Sequence, residues 1–340
     1  MLSRTADHLF WMARYMERAE NTARMLDVNL QTSLLPQSAD RAEAGWRGLL
    51  GISELEENFR RKYGEVNAQS VMNFMVRDES NFSSILCCLR AARENARAVR
   101  GALTTEVWET QNQTWLGFVK QMHSGAFERD PAAFFDWVKY RSHLSRGVRT
   151  GTMLEDEAMY FLRLGTFLER ADNTARLLDA KLHALGGAFT LPHNGNGHNG
   201  HNGQSQSQVQ VQGDQAEAQE VDFYYWSAVL RSVSAFEIYR KVYRNVIRPD
   251  KVAELLILRP DMPRSLLACL NGIMEQLQLV ANEHSAETMR LAGKLQAQLR
   301  WGTIEEIMEE GLHDYLVEFL RCVGDLGVGI SRDFLVPMEG

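Results

Sequence analysis

The chain has 340 residues, of which 45% are hydrophobic and 24% are charged, a balance typical of a globular protein long enough for two domains. Its formal net charge of −7 excludes the overall basic excess with which proteins neutralise nucleic-acid phosphates. No apolar run reaches the roughly 18 residues of a membrane span, and residues 1–7 lack a signal layout, so we expect a cytoplasmic protein with neither nucleic-acid nor membrane partners.

The first predicted element is a long helix that ends before Pro36. Its apolar residues follow a 3-4-3-4 spacing, which is typical of a helix packed lengthwise against a neighbour. This apolar stripe consists of Leu9, Met12, Met16, Ala19, Ala23, Leu26 and Leu30. Because alanine is small, Ala19 and Ala23 predict that another backbone approaches closely at mid-helix.

An eleven-residue pattern in this helix occurs twice in the chain. Residues 17–27 read ERAENTARMLD and residues 169–179 read ERADNTARLLD, with nine of eleven positions identical. The apolar stripe recurs at the same offset, and residues 46–89 align with residues 226–270. The sequence therefore predicts an internal duplication, with a first helical unit at 1–150 and a second at 151–340.

Caps and breakers predict further helices. Thr152–Glu155 and Thr303–Glu306 match the capping box, and Asp130–Pro131 matches an N-cap followed by proline in the first turn. Gly186 and Gly187 are expected to end the second long helix. We expect about six helices per unit and no strand, so the predicted fold class is all-α, a tandem duplication packed as a helical bundle with a pseudo-twofold relation.

A segment at about 192–220 differs from the rest of the second unit. It is rich in Gly, Asn, Gln and Ser, which leaves almost nothing to bury, so a disordered linker is expected. Its histidines could collect a metal ion, but a solvated insertion is the preferred interpretation. We predict no metal site and no cofactor.

A polar stripe lies one residue, or about 100°, further round each long helix than the apolar stripe. We therefore expect it at the edge of the core. Its members, with the polar residues next to them, are Glu17, Arg18, Glu20, Asn21, Arg24 and Asp27 in the first copy and Glu169, Arg170, Asp172, Asn173, Arg176 and Asp179 in the second. A second retained acid and base pair, at i and i+3, consists of Glu57 with Arg60 and of Glu237 with Arg240.

Two interpretations of these charges stay open. In the structural one, they form i, i+4 pairs such as Glu20 with Arg24, or a cross-helix network in which guanidinium groups hold facing carboxylates at the junction of the units. In the functional one, they bind a polar ligand or partner near the pseudo-twofold axis. The second interpretation rests on retention, since the charges are unchanged where Met25 has become Leu177.

Recognised enzyme signatures are missing from the sequence. There is no Gly-rich phosphate loop, no nucleophile elbow, no His-Glu-x-x-His, no Cys-x-x-Cys and no paired Glu-x-x-His motifs of the kind that di-metal bundles use. The residues therefore name no reaction, and any catalytic residues are unknown.

Several segments resemble the bacterial Alpha-E family, and the resemblance covers nearly the whole chain apart from the predicted linker. They are the two Glu-Arg motifs, residues 164–179, Arg77–Asn81, Ala92–Arg97 and Met262–Leu266. The resemblance implies a helical domain named for its Glu-Arg motif, usually found as a tandem duplication. The family motif falls on Glu17-Arg18 and Glu169-Arg170. Thr166 departs from it, since the family commonly has a basic residue there.

The resemblance also implies a functional setting, because Alpha-E proteins are associated with circularly permuted ATP-grasp ligases, transglutaminase-like proteins and a proteasome-like peptidase. Our first hypothesis is a non-catalytic accessory subunit that binds the ligase or its peptide product. The second is an enzyme of the same pathway, with Glu17 or Glu169 as general base and Arg24 or Arg176 holding a substrate carboxylate. The third is a generic interaction scaffold, favoured if every Glu-Arg side chain is internally paired and no cleft lies nearby.

Overall fold

The computed structural model describes residues 1–36, 38–184 and 223–335, and for residues 181–184 it describes the backbone only. Within these ranges the chain forms helices and no β-strand, which confirms the all-α fold class. The predicted linker and the glycine pair at 186–187 lie outside the described residues. In the part of the chain covered here, no helix combines the length and apolar composition needed to cross a bilayer.

The described residues contain eight α-helices in each half. The first half has α1 (Ser3–Ser33), α2 (Ala39–Ile52), α3 (Glu56–Tyr63), α4 (Ala68–Arg77), α5 (Ile85–Ala98), α6 (Thr105–His123), α7 (Ala126–Arg129) and α8 (Pro131–Thr152). The second half has α9 (Glu157–Ala184), α10 (residues 223–232), α11 (Phe236–Tyr243), α12 (Pro249–Ile257), α13 (Leu266–Leu279), α14 (Ala286–Trp301), α15 (Ile304–Glu310) and α16 (Leu312–Phe334). The number exceeds the expected six because α3, α7, α11 and α15 are too short to give a periodic pattern.

The long helices α1 and α9 lie at the centre and pack against each other. Helix α1 also packs against α5 and α8, and α9 packs in the corresponding way against α13 and α16. On the outside, α6 joins α5 to α8 and α14 joins α13 to α16. These matched contacts are those that a pseudo-twofold relation between α1 and α9 would produce. Along both helices most of the predicted apolar stripe is buried, as at Leu9, Ala19, Leu164 and Ala171, while Leu30 is half-buried.

Helices α1 and α9 approach each other closely at Gly165. A Cβ atom at this position would lie 2.2 Å from the backbone oxygen of Phe10, so only glycine fits without a shift of one helix. This contact lies before Ala171 and Ala175, the second-copy equivalents of the alanines at which sequence analysis placed the close approach.

Helix starts follow the predicted capping residues in two of three cases. Thr303 and Glu306 form the capping box of α15, and the Asp130 side chain accepts from the backbone N–H of Ala133 at the start of α8. The predicted box at Thr152–Glu155 is wrong, because Thr152 is the last residue of α8. The start of α9 is capped by Asp156 instead, whose Oδ1 lies 3.0 Å from the backbone nitrogen of Ala158.

Candidate functional site

The two copies of the Glu-Arg motif meet across the interface of α1 and α9 in a reciprocal arrangement. Arg170 donates two hydrogen bonds to Glu17, of 2.9 Å from Nε to Oε1 and 3.1 Å from Nη2 to Oε2. Arg18 donates to Glu169 through the same two nitrogens, with Nη2 3.0 Å from Oε2. Each pair is a bidentate contact between guanidinium and carboxylate. In a twofold contact the same two residue types pair in both directions, as these do.

A second reciprocal contact lies one to two turns further along each helix. Arg24 of α1 donates to the hydroxyl of Ser234, in the turn between α10 and α11. Arg176 of α9 donates to the carboxylate of Glu54, in the corresponding turn between α2 and α3. Both turn residues adopt left-handed backbone conformations, with φ of 54° at Glu54 and 55° at Ser234. Each long helix therefore reaches the other half of the chain through the second arginine of its eleven-residue motif.

The carboxylates of Glu17 and Glu20 are enclosed by arginines, and their residues are 1% and 0% exposed. Arg264 lies 2.9 Å from Glu17 Oε1 through Nη1 and 2.6 Å from Glu20 Oε1 through Nη2. Arg146 donates to both carboxylates through Nη1, and Arg24 lies 2.7 Å from Glu20 Oε1 through Nη2. Glu17 and Glu20 of the polar stripe thus lie deeper than the core edge at which the sequence placed them, because α8 and the loop before α13 cover them, whereas Arg18 is half-buried.

The α9 end of the network is more open. Glu169 is buried and accepts from Arg14, whose Nε lies 2.8 Å from Oε2, in addition to Arg18. Asp172 and Arg176 are half-buried and pair with each other at 2.9 Å from Nε to Oδ2. Carboxylates pair with arginines at both ends of the network, but more arginines contact the carboxylates of α1 than those of α9.

Burial and ion pairing act in opposite directions on these carboxyl groups. Burial would raise the pKa of Glu17, but Arg170 and Arg264 outweigh it and hold that pKa below its usual range. Burial likewise opposes Arg264 and Arg146 at Glu20, whose pKa falls well below the usual value. At Glu169, Arg18 and Arg14 overcome burial and lower the pKa to about 2. All three are ionised at neutral pH, whereas a general base works best with a pKa near the operating pH.

Other predicted residues lie at the border of the network. The Asn21 Oδ1 accepts from Arg264 at 2.8 Å, while its Nδ2 is buried without a hydrogen-bond partner among the described residues. Asp27 accepts from Lys139 at 2.7 Å, and Asp179 contacts His313. Asn173 is half-buried on α9.

Four predicted residues lie away from the network, exposed on α3 and α11: Glu57, Arg60, Glu237 and Arg240. The pairing expected between positions i and i+3 is wrong on α3, where Arg60 pairs with Glu56 and Glu57 pairs with Arg61, both at i, i+4. On α11 the two residues form no ion pair with any described residue. Side chains at i and i+4 lie nearly above one another on a helix, which favours that spacing.

Sequence reasoning missed several network members, namely Arg14, Lys139, Ser142, His143, Arg146 and Arg264. Arg264 lies in the Met262–Leu266 segment that supports the family resemblance, which was the available signal. The alignment of the two copies places Ser83 opposite Arg264 and Thr166 opposite Arg14. Because these arginines occur in one copy only, comparison of the copies could not identify them.

A cleft of about 450 Å³ opens beside Glu17 and Glu20. Its charged lining is mostly basic and consists of Arg24, Lys139, Arg146, Arg170, Arg264 and Asp136, with His143 beside them. Its other walls are largely apolar and include Val233, Ile238, Met262 and Pro263. We call this the basic cleft.

A second cleft, of about 640 Å³, lies at the corresponding place at the other end of the network. The correspondence follows from the linings, since Arg24 and Ser234 line the basic cleft and Arg176 and Glu54 line the second. The charges are reversed, because the second cleft is lined by Asp40, Glu43, Glu54, Glu56 and Asp179 against Arg47 and Arg176. We call it the acidic cleft. Among the described residues, no group of His, Cys, Asp and Glu side chains is arranged to hold a metal ion.

Comparison with known proteins gives one finding. A family model described as a predicted alpha-helical domain with a conserved ER motif matches residues 1–335. Both cross-helix Glu-Arg pairs lie within the matched range. Neither the curated proteins nor the solved structures give a match.

Proposed function

The chain belongs to the Alpha-E family, and from this premise we propose that it is a non-catalytic, partner-binding subunit of an ATP-grasp-dependent peptide synthesis or modification system. The proposed partner is a circularly permuted ATP-grasp ligase. A transglutaminase-like protein and a proteasome-like peptidase are further proposed members of the same system.

The observation that carries the proposal is the state of the Glu-Arg carboxylates. Glu17 and Glu169 are each held by two or more arginines and are ionised at neutral pH. A carboxylate in this state is a poor proton acceptor, and its removal would leave buried arginines at the junction of α1 and α9 without their partner. This favours an accessory role over an enzyme that uses these groups as bases.

The basic cleft favours a binding role over a generic scaffold. The side chains of the Glu-Arg motifs are used inside the protein, but a cleft of about 450 Å³ adjoins them, which lies within the range of small-ligand sites, roughly 300–1,000 Å³. The hypothesis of a generic scaffold is favoured only if no cleft lies near the Glu-Arg side chains, and the basic cleft lies beside them.

The test uses the purified full chain and the purified ligase. We expect the ligase to be retained on the immobilised chain, and its binding of the acceptor peptide to strengthen when the chain is added. If the ligase binds its acceptor and forms product equally well with and without the chain, the accessory role is lost. If the chain alone converts the ligase's substrates, the non-catalytic part is wrong.

A further inference from the structure

We infer that the basic cleft binds a peptide through a free carboxylate, at one site per chain. The inference rests on the proposed function only for the origin of the peptide, which would be the acceptor or product of the ligase. Its chemistry follows from the charges, the unused hydrogen-bond donors and the apolar walls of the cleft.

The cationic side chains of the basic cleft outnumber the carboxylates that they contact. Five cationic side chains line the basic cleft, and the carboxylates they contact are Glu17, Glu20, Asp27 and Asp136. One positive charge is therefore unbalanced. The carboxylates of Glu17 and Glu20 lie beneath the arginines, and an entering ligand meets the cations before them.

A buried arginine near Arg146 and Glu17 increases this excess. Arg149 is 6% exposed and interacts electrostatically with Arg146 and Glu17. Its Nε donates to the backbone oxygen of Ser145, and no described carboxylate lies within ion-pair distance of its guanidinium. A buried cation without a carboxylate partner makes the neighbouring cleft more attractive to an anion.

The basic cleft contains hydrogen-bond donors that its own residues leave unused. Arg146 uses Nη1 for Glu17 and Glu20 and Nη2 for His143, while its Nε–H has no acceptor among the described residues. Lys139 has three N–H groups and contacts two carboxylates, those of Asp27 and Asp136. Donors in the cleft therefore outnumber acceptors, which suits a ligand group that only accepts.

A further unused donor lies at His143, because guanidinium groups approach both of its ring nitrogens. Arg146 Nη2 lies 2.8 Å from Nδ1 and Arg24 Nη2 lies 3.2 Å from Nε2. A neutral imidazole has a single acceptor nitrogen, and arginine cannot accept, so only one contact is a hydrogen bond. One guanidinium N–H beside His143 is therefore left without an acceptor there and is available to a ligand.

The volume and the apolar walls of the basic cleft indicate what the ligand contains besides its carboxylate. A volume of about 450 Å³ exceeds what a bare carboxylate or phosphate needs. Ile238, Met262 and Pro263 offer apolar contact next to the cations, and Tyr140 lies exposed at the rim. A carboxylate joined to a short peptide satisfies both the charged and the apolar lining, and a planar carboxylate fits the forked donors of arginine.

The acidic cleft explains why one site is expected rather than two. It occupies the corresponding position but presents Asp40, Glu43, Glu54, Glu56 and Asp179, which repel a carboxylate. The two halves of the chain therefore place opposite charges at the two ends of one network. The acidic cleft also supplies matched control positions.

The experiment is calorimetric titration of the full chain with acetyl-Ala-Ala-Glu as the free acid, its diamide and inorganic phosphate, all at low and equal ionic strength. We expect one acid peptide per chain and at least a tenfold weaker Kd for the diamide. Asp136→Asn removes the one acid of the lining, whose side chain is 59% exposed, and is expected to tighten the acid peptide about two- to fivefold. Glu54→Gln, in the acidic cleft, is the control and should leave the Kd unchanged.

Three results would overturn the inference: no binding of the acid peptide at millimolar concentration, equal binding of acid and diamide, or phosphate binding tighter than the acid. Because Asp136→Asn is expected to increase affinity, a folding defect cannot imitate its effect. If this variant does not tighten binding, or if Glu54→Gln changes the Kd as much, the cleft is wrongly assigned. The titration contains no ligase, so its failure is distinct from failure of the ligase to bind the chain.

Discussion

Replacing Glu17 by glutamine should destabilise the protein strongly. Glu17 accepts four hydrogen bonds from three arginines, Arg170, Arg264 and Arg146. In Glu17→Gln one oxygen remains, and the other becomes an amide that donates towards guanidinium groups that also donate. Three cations then share a buried space from which one carboxylate has been removed.

The size of the effect follows from burial. Breaking a buried ion pair by removing one partner costs about 3–5 kcal/mol, because the remaining charge is left uncompensated. We expect a loss in this range in the free energy of unfolding, which is a large share of the roughly 5–15 kcal/mol typical of folded proteins. The matched control is Glu57→Gln, whose side chain is 79% exposed, and we expect a change within about 0.5 kcal/mol there.

The assay is urea unfolding of the two variants and the parent chain, followed by far-ultraviolet circular dichroism. If the free energies of unfolding of Glu17→Gln and Glu57→Gln differ by less than about 1 kcal/mol, the buried carboxylate does not hold the junction together and the reasoning is refuted. Should Glu17→Gln fail to fold, Glu169→Gln gives a milder test, because Arg14 and Arg18 are partly exposed and can be rehydrated.

Three further predictions concern packing, pH and thiol reactivity. Gly165→Ala should reduce the free energy of unfolding by about 1–3 kcal/mol and so lower the melting temperature, because the new Cβ overlaps the backbone of Phe10. Gly324→Ala is the control and should not lower it, since the space around Gly324 is open. Equal melting temperatures for the two variants would contradict the close crossing. The Glu169 pKa falls from 4.5 to about 2 on folding. Ionised Glu169 therefore contributes about 3 kcal/mol to the free energy of unfolding above pH 4.5, and this contribution is lost as the pH falls towards 2. In Glu169→Gln the free energy of unfolding should depend less on pH across that window. Burial raises the pKa values of Cys88 and Cys269 to about 12, so a thiol reagent at pH 8 should modify them only after unfolding, and rapid labelling of the folded chain would contradict their burial.

The long helices could be predicted because their signal is local. The apolar stripe depends on residues three or four positions apart, and most of those that the structure describes are buried along α1 and α9. The polar stripe beside it was also visible, because both copies of the motif retain it. Thr152–Glu155 shows the limit of such local reading, since the same four letters fit a capping box while Asp156, one residue later, caps the helix.

The partners of the polar stripe could not be predicted, because they come from distant parts of the chain. Arg264 lies 247 positions from Glu17 and Arg146 lies 129 positions from it. Arg264 has no counterpart in the other copy, where Ser83 aligns with it, and Arg146 lies outside the aligned segments, so neither periodicity nor duplication marks them. The difference in charge between the two clefts has the same origin, since most of the charged residues that line them lie outside α1 and α9.

The most direct test of the reciprocal Glu-Arg junction is a double-mutant cycle on Arg18 and Glu169, the cross-helix pair with the more exposed arginine. Unfolding free energies of Arg18→Met, Glu169→Gln and the double variant should give a coupling of about 1.5–3 kcal/mol, whereas Arg18→Met combined with the distant Glu57→Gln should be additive within about 0.5 kcal/mol. Additivity of the Arg18 and Glu169 variants would contradict the account, because the two copies of the motif would then stabilise the protein without pairing across α1 and α9.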